Sequence, residues 1–283
     1  MKSIVVTGAS TGIGAGTVKA LIQKGFRVFG SVRKEADAAR LSAEFGTNFV
    51  PLIFDVTDAA AVKAGAAKLE AMLSGETLAG LVNNAGIAVA GPLLHLDIDE
   101  LRQQLEINVT GQLIVTQAFA PLLGADPDRK GAKGRIVMIS SISGTNAAPF
   151  VGPYSASKFA LEGLSESLRR ELMVHGIEVI VIAPGAVATP IWAKADEVDV
   201  SRYANTVYAE PLAGLKRYVM ELGRKGLKPE VLGEAVWKAL TVAKPRTRYV
   251  VTPDRIEHFM VNHLPKRVVD NIFAGRLGLK AKG

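Results

Sequence analysis

The eight residues from Thr7 to Gly14, Thr-Gly-Ala-Ser-Thr-Gly-Ile-Gly, constrain the fold of this chain more than any other segment. They follow an apolar run, Ile4-Val5-Val6, and open a pattern in which Val18, Leu21 and Ile22 recur at helical spacing. A second apolar run covers residues 26–32, so the chain begins with a strand, a helix and a strand. Gly8 permits a sharp turn, Gly12 lets the backbone approach a pyrophosphate, and Gly14 lets helix and strand pack closely. The helix N-terminus adds N–H groups and a partial positive charge. A glycine turn in this place predicts a dinucleotide-binding loop, against the plainer reading of a turn that serves packing alone.

Further apolar runs at 49–54, 78–82, 134–139, 178–182 and 248–251 alternate with amphipathic helical patterns. That alternation predicts an α/β fold, a Rossmann-like doubly wound parallel sheet with helices on both faces. The 283 residues, 48% of them hydrophobic, suffice for one large core. No break in composition divides them, so 1–283 read as a single domain. Within it, the pattern loses regularity over 190–230, which suits a mobile segment covering a substrate, and 252–283 form a C-terminal extension. The polar stretch 124–134 reads as a surface loop. Two long helices stand out. One has Asp97 as its N-cap candidate with Glu100 three residues on, and runs through Leu101, Leu105, Val109 and Leu113 toward Phe119 and Leu122. The other starts near Tyr154, with Phe159, Leu161, Leu164, Leu168 and Leu172 on its apolar side.

Composition removes several function classes. There is no cysteine, hence no disulfide framework or thiolate site, and four scattered histidines make a metal centre unexpected. His258 and His263 lack helical ligand spacing. No long apolar run follows the N-terminus, so a cytoplasmic protein is expected. The formal charge of +7 raises the question of nucleic acid. Much of the excess lies late in the chain, at Lys244, Arg246, Arg248, Lys266, Arg267, Arg276, Lys280 and Lys282, without interleaved aromatic platforms. A solvated basic face is the expectation, with no nucleic acid; contact with an anionic membrane surface or a partner protein is the lesser alternative.

Tyr154 and Lys158 stand one helical turn apart in Tyr-Ser-Ala-Ser-Lys. An ammonium about 4 Å from a phenol, at an effective dielectric of about 20, favours the phenolate by roughly 4 kcal/mol. That equals about three pKa units before desolvation is subtracted, enough for proton exchange with an alcohol or ketone near neutral pH. By itself the pair also reads as a surface contact. At the end of the second strand the sequence is Ser31-Val32-Arg33-Lys34, with no carboxylate for a ribose 2′-hydroxyl. Arg33 is placed to pair with a 2′-phosphate, which predicts NADP as the preferred cofactor and leaves NAD as the alternative if Arg33 is merely solvated.

Four more segments fall in order: Phe54-Asp55-Val56, Asn83-Asn84-Ala85-Gly86, Asn108 within a long helix, and Ser140-Ser141 at the end of the fifth strand. With the glycine turn, the Tyr154/Lys158 pair and Pro184-Gly185, they make residues 2–190 resemble the short-chain dehydrogenase/reductase family. Val-Phe-Gly-Ser-Val-Arg-Lys and the late Pro-Arg-Thr-Arg-Tyr are similar to its hydroxysteroid and retinol dehydrogenase branch.

The resemblance implies a catalytic set. Tyr154 is its general acid/base, and Ser141 hydrogen-bonds the same substrate oxygen. Ser140 and Ser143 are competitors, with Ser140 read as a hydroxyl that satisfies backbone. Lys158 lowers the tyrosine pKa and holds the nicotinamide ribose. Asn108 binds a water that relays protons to Lys158, or is a buried amide bridging helix and sheet. For the cofactor it implies Gly8, Gly12 and Gly14, with Ser10, Thr11 and Ile13 in the same turn. Asp55 and Val56 lie at the adenine, and Asn83, Ala85 and Gly86 along the ribose and pyrophosphate. Pro184 and Gly185 make room for the nicotinamide, and Val187 and Thr189 anchor its carboxamide. Asn83-Asn84 otherwise closes a turn.

Ile87, Val89, Leu93, Ile191, Trp192, Val198, Tyr203, Val207 and Tyr208 predict apolar walls and a hydrophobic alcohol or ketone as substrate. Phe259, Met260, Val261, Leu264, Val268, Val269, Ile272 and Phe273 in the extension suit pocket closure, a subunit boundary or lipid contact, in that order. The family resemblance favours a homodimer or homotetramer built on the two long helices. The rival functions are an epimerase on the same fold and a catalytically idle NADP sensor.

Overall fold

The computed structural model describes residues 1–190 and 200–279. Seven parallel strands, β1 (Ser3–Val6), β2 (Arg27–Val32), β3 (Phe49–Ile53), β4 (Gly80–Asn83), β5 (Arg135–Ile139), β6 (Glu178–Pro184) and β7 (Arg248–Val251), form one sheet. Their order is β3-β2-β1-β4-β5-β6-β7. The chain thus winds outward from β1 in one direction and from β4 in the other, and the crevice between those two strands is the switch point where such sheets bind ligands.

Both faces of the sheet are covered, which explains why its strands read as continuous apolar runs rather than alternating ones. Val5, Phe29, Leu81, Ile136, Met138, Val179 and Val181 point into one core. It is closed by α3 (Ala59–Leu73), α5 (Gly111–Phe119) and α6 (Gly152–Glu171). Their strand neighbours Ile4, Val6, Val28, Val82, Val137, Ile139, Ile180 and Ile182 point into the other. That core lies under α1 (Gly12–Gln23), α2 (Glu35–Phe45) and α8 (Pro229–Thr241). Each fully buried Leu, Ile, Val or Phe contributes about 1.5–3 kcal/mol, so the sheet is the main reservoir of stability. α1 and α8 touch through glycine: a Cβ on Gly16 would lie 2.6 Å from Pro229, and one on Gly233 2.6 Å from the Gly16 carbonyl oxygen.

The helix expected after Asp97 is present, but in two parts. Asp97 caps α4 (Ile98–Leu105) by accepting from the Asp99 N–H at 2.9 Å. A π turn over Glu106–Thr110 then precedes α5, its Gly111 N–H reaching back to Glu106 O. The segment read as irregular over 190–230 contains α7 (Ala209–Lys225), a helix of 17 residues. Its Leu212 and Leu215 form a third core with Phe150, Tyr203 and Leu277. The extension is two helices, α9 (Arg255–His263) and α10 (Lys266–Leu277). No helix among the described residues is long and apolar enough to cross a membrane, and none of their histidines and carboxylates group as metal ligands.

Candidate active site

The glycine turn between β1 and α1 lies at the switch point, and its backbone has the shape that only glycine tolerates. Gly8 and Gly12 have φ of +65° and +57°. A Cβ on Gly14 would lie 2.0 Å from the Gly8 carbonyl oxygen. The turn is fastened from two sides. Gly8 N donates to Ser31 Oγ at 3.0 Å and Ala9 N to Ser31 O at 2.9 Å, while Arg40 of α2 donates to Ser10 O at 2.8 Å. On the β4 side, Thr7 Oγ1 accepts from the N–H groups of Asn84 and Ala85 at 2.9 and 3.0 Å. Asn84 Nδ2 donates to Thr7 O at 2.8 Å and Gly8 O at 3.2 Å. Thr11, the N-cap of α1, makes no capping bond with its side chain, and the first turn, with Ile13, holds no acid. This is a turn opened by three glycines at the positive end of a helix, and it fits a pyrophosphate. Thr189 stands over Gly12, whose Cβ would lie 3.3 Å from its side chain.

At the adenosine end, Arg33 and Asp55 are brought together, Nη1 to Oδ2 at 3.7 Å. Asp55 Oδ1 accepts from Thr57 N and Oγ1 at 3.0 and 2.8 Å, so its second oxygen is the one turned toward Arg33. Val56 is buried beneath, its side chain against the space where a Gly111 Cβ would be.

Two positions expected along the cofactor make close contacts within the protein. Asn83 is fully buried, and its Nδ2 donates to Thr116 Oγ1 at 2.8 Å on the α5 side of the sheet. The neighbouring Asn84 is the residue that faces the glycine turn. Gly185 is packed against Thr252: its Cβ would lie 2.4 Å from Thr252 Oγ1, and its N–H donates to Val251 O at 2.9 Å. Pro184 ends β6, and Val187 bridges to Leu227.

Tyr154, in the first turn of α6, places its phenol in hydrogen-bonding range of Ser141, which follows β5. Ser141 Oγ also accepts from Ser143 N at 3.1 Å. Ser140 differs from its expected part, since its buried hydroxyl has no hydrogen-bond partner. Lys158 is buried, donates to Ile139 O at 2.8 Å and lies 5.7 Å from the centre of the Tyr154 ring. Asn108, in the π turn, accepts from Ile87 N at 2.9 Å and donates to Ile87 O at 3.0 Å and Ser157 Oγ at 3.1 Å. Its amide thus ties the π turn to the segment that follows β4 and to α6, with both of its N–H groups engaged. Gly86 lies against it, a Cβ there falling 3.1 Å from Asn108 Oδ1.

The electrostatics differ from the simple ion-pair expectation. Burial pushes the Tyr154 phenol above its ordinary value, and the bond with Ser141 offsets only part of that. Burial also pulls Lys158 down to about 8, against the charge of Glu162, which raises it. Desolvation is thus the largest influence on both groups, and one of the three ammonium N–H groups is given to Ile139 O. At neutral pH the phenol holds its proton, the form that protonates a carbonyl oxygen.

Glu162 gives a test of sign. It pairs with Arg248 Nε at 3.1 Å, and its carboxylate favours charged Lys158. Replacing it in Glu162→Gln removes that support and leaves Arg248 unneutralised; both lower the Lys158 pKa further. If carbonyl reduction needs protonated Lys158, kcat/KM falls as pH rises through about 8, and the variant's alkaline limb moves to lower pH. A pH profile with the limb unmoved, or moved upward, contradicts this assignment.

Beyond the motif residues, one apolar cluster stands out, around Phe150, Tyr203 and Tyr208. Phe150 is a bulky residue at φ +66°, a strained conformation of the kind that clusters at functional sites. Its carbonyl accepts from Gly91 N at 2.7 Å, and Tyr208 meets its ring edge-on at 5.8 Å. Tyr203 is buried, whereas Leu93 and Val207 are exposed. Ile191, Trp192 and Val198 lie outside the described residues, as do Lys280 and Lys282. Sequence reading missed Thr7, Asn84, Arg40, Gln104 and Ser157. Of these, Gln104 carried a signal, being one helical turn before Asn108.

A doubly wound sheet with a glycine cradle and a Ser/Tyr/Lys group at its carboxyl edge defines a nucleotide-dependent oxidoreductase. A family profile described as short chain dehydrogenase matches residues 2–199, and the chain belongs to that family. It is 41% identical, over 96% of both chains, to the NADPH-dependent 3-dehydrocapnine reductase of Ornithobacterium rhinotracheale. It is 32% identical to retinol dehydrogenase 5 of Mus musculus, over 95% of this chain and 86% of the other. Among solved structures, the closed form of serine dehydrogenase complexed with NADP+ superposes with a TM-score of 0.72 at 26% identity, over 88% of this chain and 94% of that one.

Proposed function

We propose that the chain is an NADPH-preferring reductase of hydrophobic ketones or aldehydes, able to run in reverse on the alcohols. The observation that carries this reading is the meeting of Ser141 with a proton-holding Tyr154 phenol, beside buried Lys158 and on the same sheet edge as the glycine cradle. The nicotinamide cofactor supplies the hydride. Tyr154 donates its proton to the carbonyl oxygen, and Ser141 hydrogen-bonds that oxygen as negative charge develops on it. Lys158 is anchored on Ile139 O, its charge kept next to the phenol and the ribose. Gly8, Ser10, Thr11, Gly12, Ile13 and Gly14 hold the pyrophosphate. Asp55 and Val56 take the adenine, Ala85 and Gly86 the ribose, and Pro184, Val187 and Thr189 the nicotinamide side.

The NADPH preference is supported by Arg33 at the end of β2, where no acid stands, and by the NADPH dependence named for the Ornithobacterium reductase. The substrate class is supported by the apolar character of Ile87, Val89 and Leu93 after β4 and of the Phe150, Tyr203 and Tyr208 cluster. We place the substrate-covering segment at 190–230 and the subunit contacts of a dimer or tetramer on the two long helices.

The test is the cofactor ratio with a panel of aryl and long-chain alkyl ketones. Wild type should consume NADPH faster than NADH, and Arg33→Ala should lose about 1.5–3 kcal/mol of the preference, roughly 10- to 150-fold. An unchanged ratio removes Arg33 from the account. Binding of NADPH without consumption favours a sensor instead, the reading against which the complete Ser141, Tyr154 and Lys158 set speaks.

A further inference from the structure

We propose that Gln104 is a positioning residue that fixes the substrate wall at Ile87–Val89 relative to Tyr154. The proposal rests on the reading that this segment faces a hydrophobic carbonyl substrate. Gln104 is fully buried on α4, one turn before Asn108 and on the same helical face. Its Oε1 accepts from Val89 N at 2.7 Å. Its Nε2 donates to Ile87 O at 3.0 Å and to Ser157 Oγ at 3.4 Å. Asn108 takes both backbone groups of Ile87 and reaches the same hydroxyl. Ser157 Oγ in turn donates to Tyr154 O at 2.7 Å.

Two amides on one helix thus grip the chain as it leaves β4, and a single serine connects that grip to the residue that donates the proton. Residues 87–89 belong to no strand or helix, so their backbone groups have no ladder to pair with, and burial without a partner is costly. Asn108 holds both backbone groups of Ile87 and shares its carbonyl with Gln104. Gln104 is what carries the grip on to Val89, whose side chain lies two residues farther along the wall. An apolar residue would fill the same space and leave Val89 N–H unpaired, free to turn outward to water and take the wall with it. The cofactor cradle is fastened separately, through Thr7, Asn84, Ser31 and Arg40, so the effect should fall on substrate and spare cofactor.

The experiment uses the full chain and the ketone that wild type turns over fastest in the panel. Gln104→Leu should lower kcat/KM for the ketone at least tenfold, chiefly through KM, with the KM for NADPH within twofold of wild type. Rates are normalised to NADPH-binding protein and taken well below the variant's Tm. Gln104→Glu in its protonated form keeps both an acceptor for Val89 and a donor. Its ketone KM should approach wild type at acidic pH and depart from it as pH rises, relative to wild type at each pH. It also supplies the result if the leucine variant does not fold.

A ketone KM unchanged in both variants, with only Tm lowered, makes Gln104 structural and overturns the proposal. So does a parallel rise in the KM for NADPH. Wild-type turnover with unaffected variants defeats this proposal alone, whereas a wild type that consumes no NADPH with any ketone defeats the functional reading and takes this one with it.

Discussion

Tyr154→Phe should lower ketone turnover at least about 10²-fold while NADPH binds with nearly wild-type affinity. The substitution removes one hydroxyl and keeps the ring, so packing in the first turn of α6 is preserved. What is lost is the phenol proton that the Tyr154 hydroxyl carries beside Ser141. Because burial raises the phenol pKa, the wild-type group is protonated throughout the neutral range. Its loss should therefore be felt equally across that range, and not at one end of a titration. Steady-state rates with NADPH, together with a fluorescence titration of NADPH binding, give both halves of the result. A variant that retains more than about a tenth of the wild-type rate contradicts a general-acid contribution of this size.

Gly14→Ala should abolish NADPH binding, an effect as large as the loss of the phenol but with a different cause. The added methyl would lie 2.0 Å from the Gly8 carbonyl oxygen and 2.9 Å from the Gly8 carbonyl carbon. Neither is the end of a flexible side chain, so the turn itself has to move. Overpacking of this kind costs about 1–3 kcal/mol, or roughly 2–12 °C in Tm for a domain of this size. The displaced turn no longer aims its N–H groups at the pyrophosphate, and affinity should fall at least about 10²-fold, the equivalent of roughly 2.7 kcal/mol. Gly214→Ala is the matched control: it lies within α7, and its Cβ would meet nothing within 4 Å. Binding retained in Gly14→Ala would mean that the turn is not the phosphate cradle.

The seven strands were legible because a sheet covered on both faces gives short, mostly apolar runs, rich in Val and Ile, set between helical patterns and turn residues. The glycine turn was legible for a similar reason, since Gly8, Gly12 and Gly14 each answer a steric demand made within the turn or by its nearest neighbours. What escaped depended on direction or on distant contacts. Asn83 and Asn84 are equivalent as composition, yet strand alternation sends Asn83 with Leu81 toward α5 and leaves Asn84 for the glycine turn. Gly185 is small because of Thr252, some sixty-seven positions later, which no local rule reaches. The π turn at Asn108 differs from an unbroken helix by one residue in register, too little to disturb its apolar spacing. The ion-pair estimate for Tyr154 omitted the desolvation that three-dimensional burial imposes, and burial proved the larger influence. α7 went unread although Leu212, Leu215 and Val219 stand at helical spacing, because the partners that bury them, Phe150 and Leu277, are remote in sequence.

The central claim is that this chain moves hydride from NADPH to a carbonyl carbon while Tyr154 protonates the oxygen. NADPH deuterated at the transferring position of the nicotinamide, incubated with wild type and a hydrophobic ketone, should give alcohol labelled at the carbinol carbon in step with cofactor consumption. NADPH that binds and is never consumed, or product alcohol without the label, would contradict it.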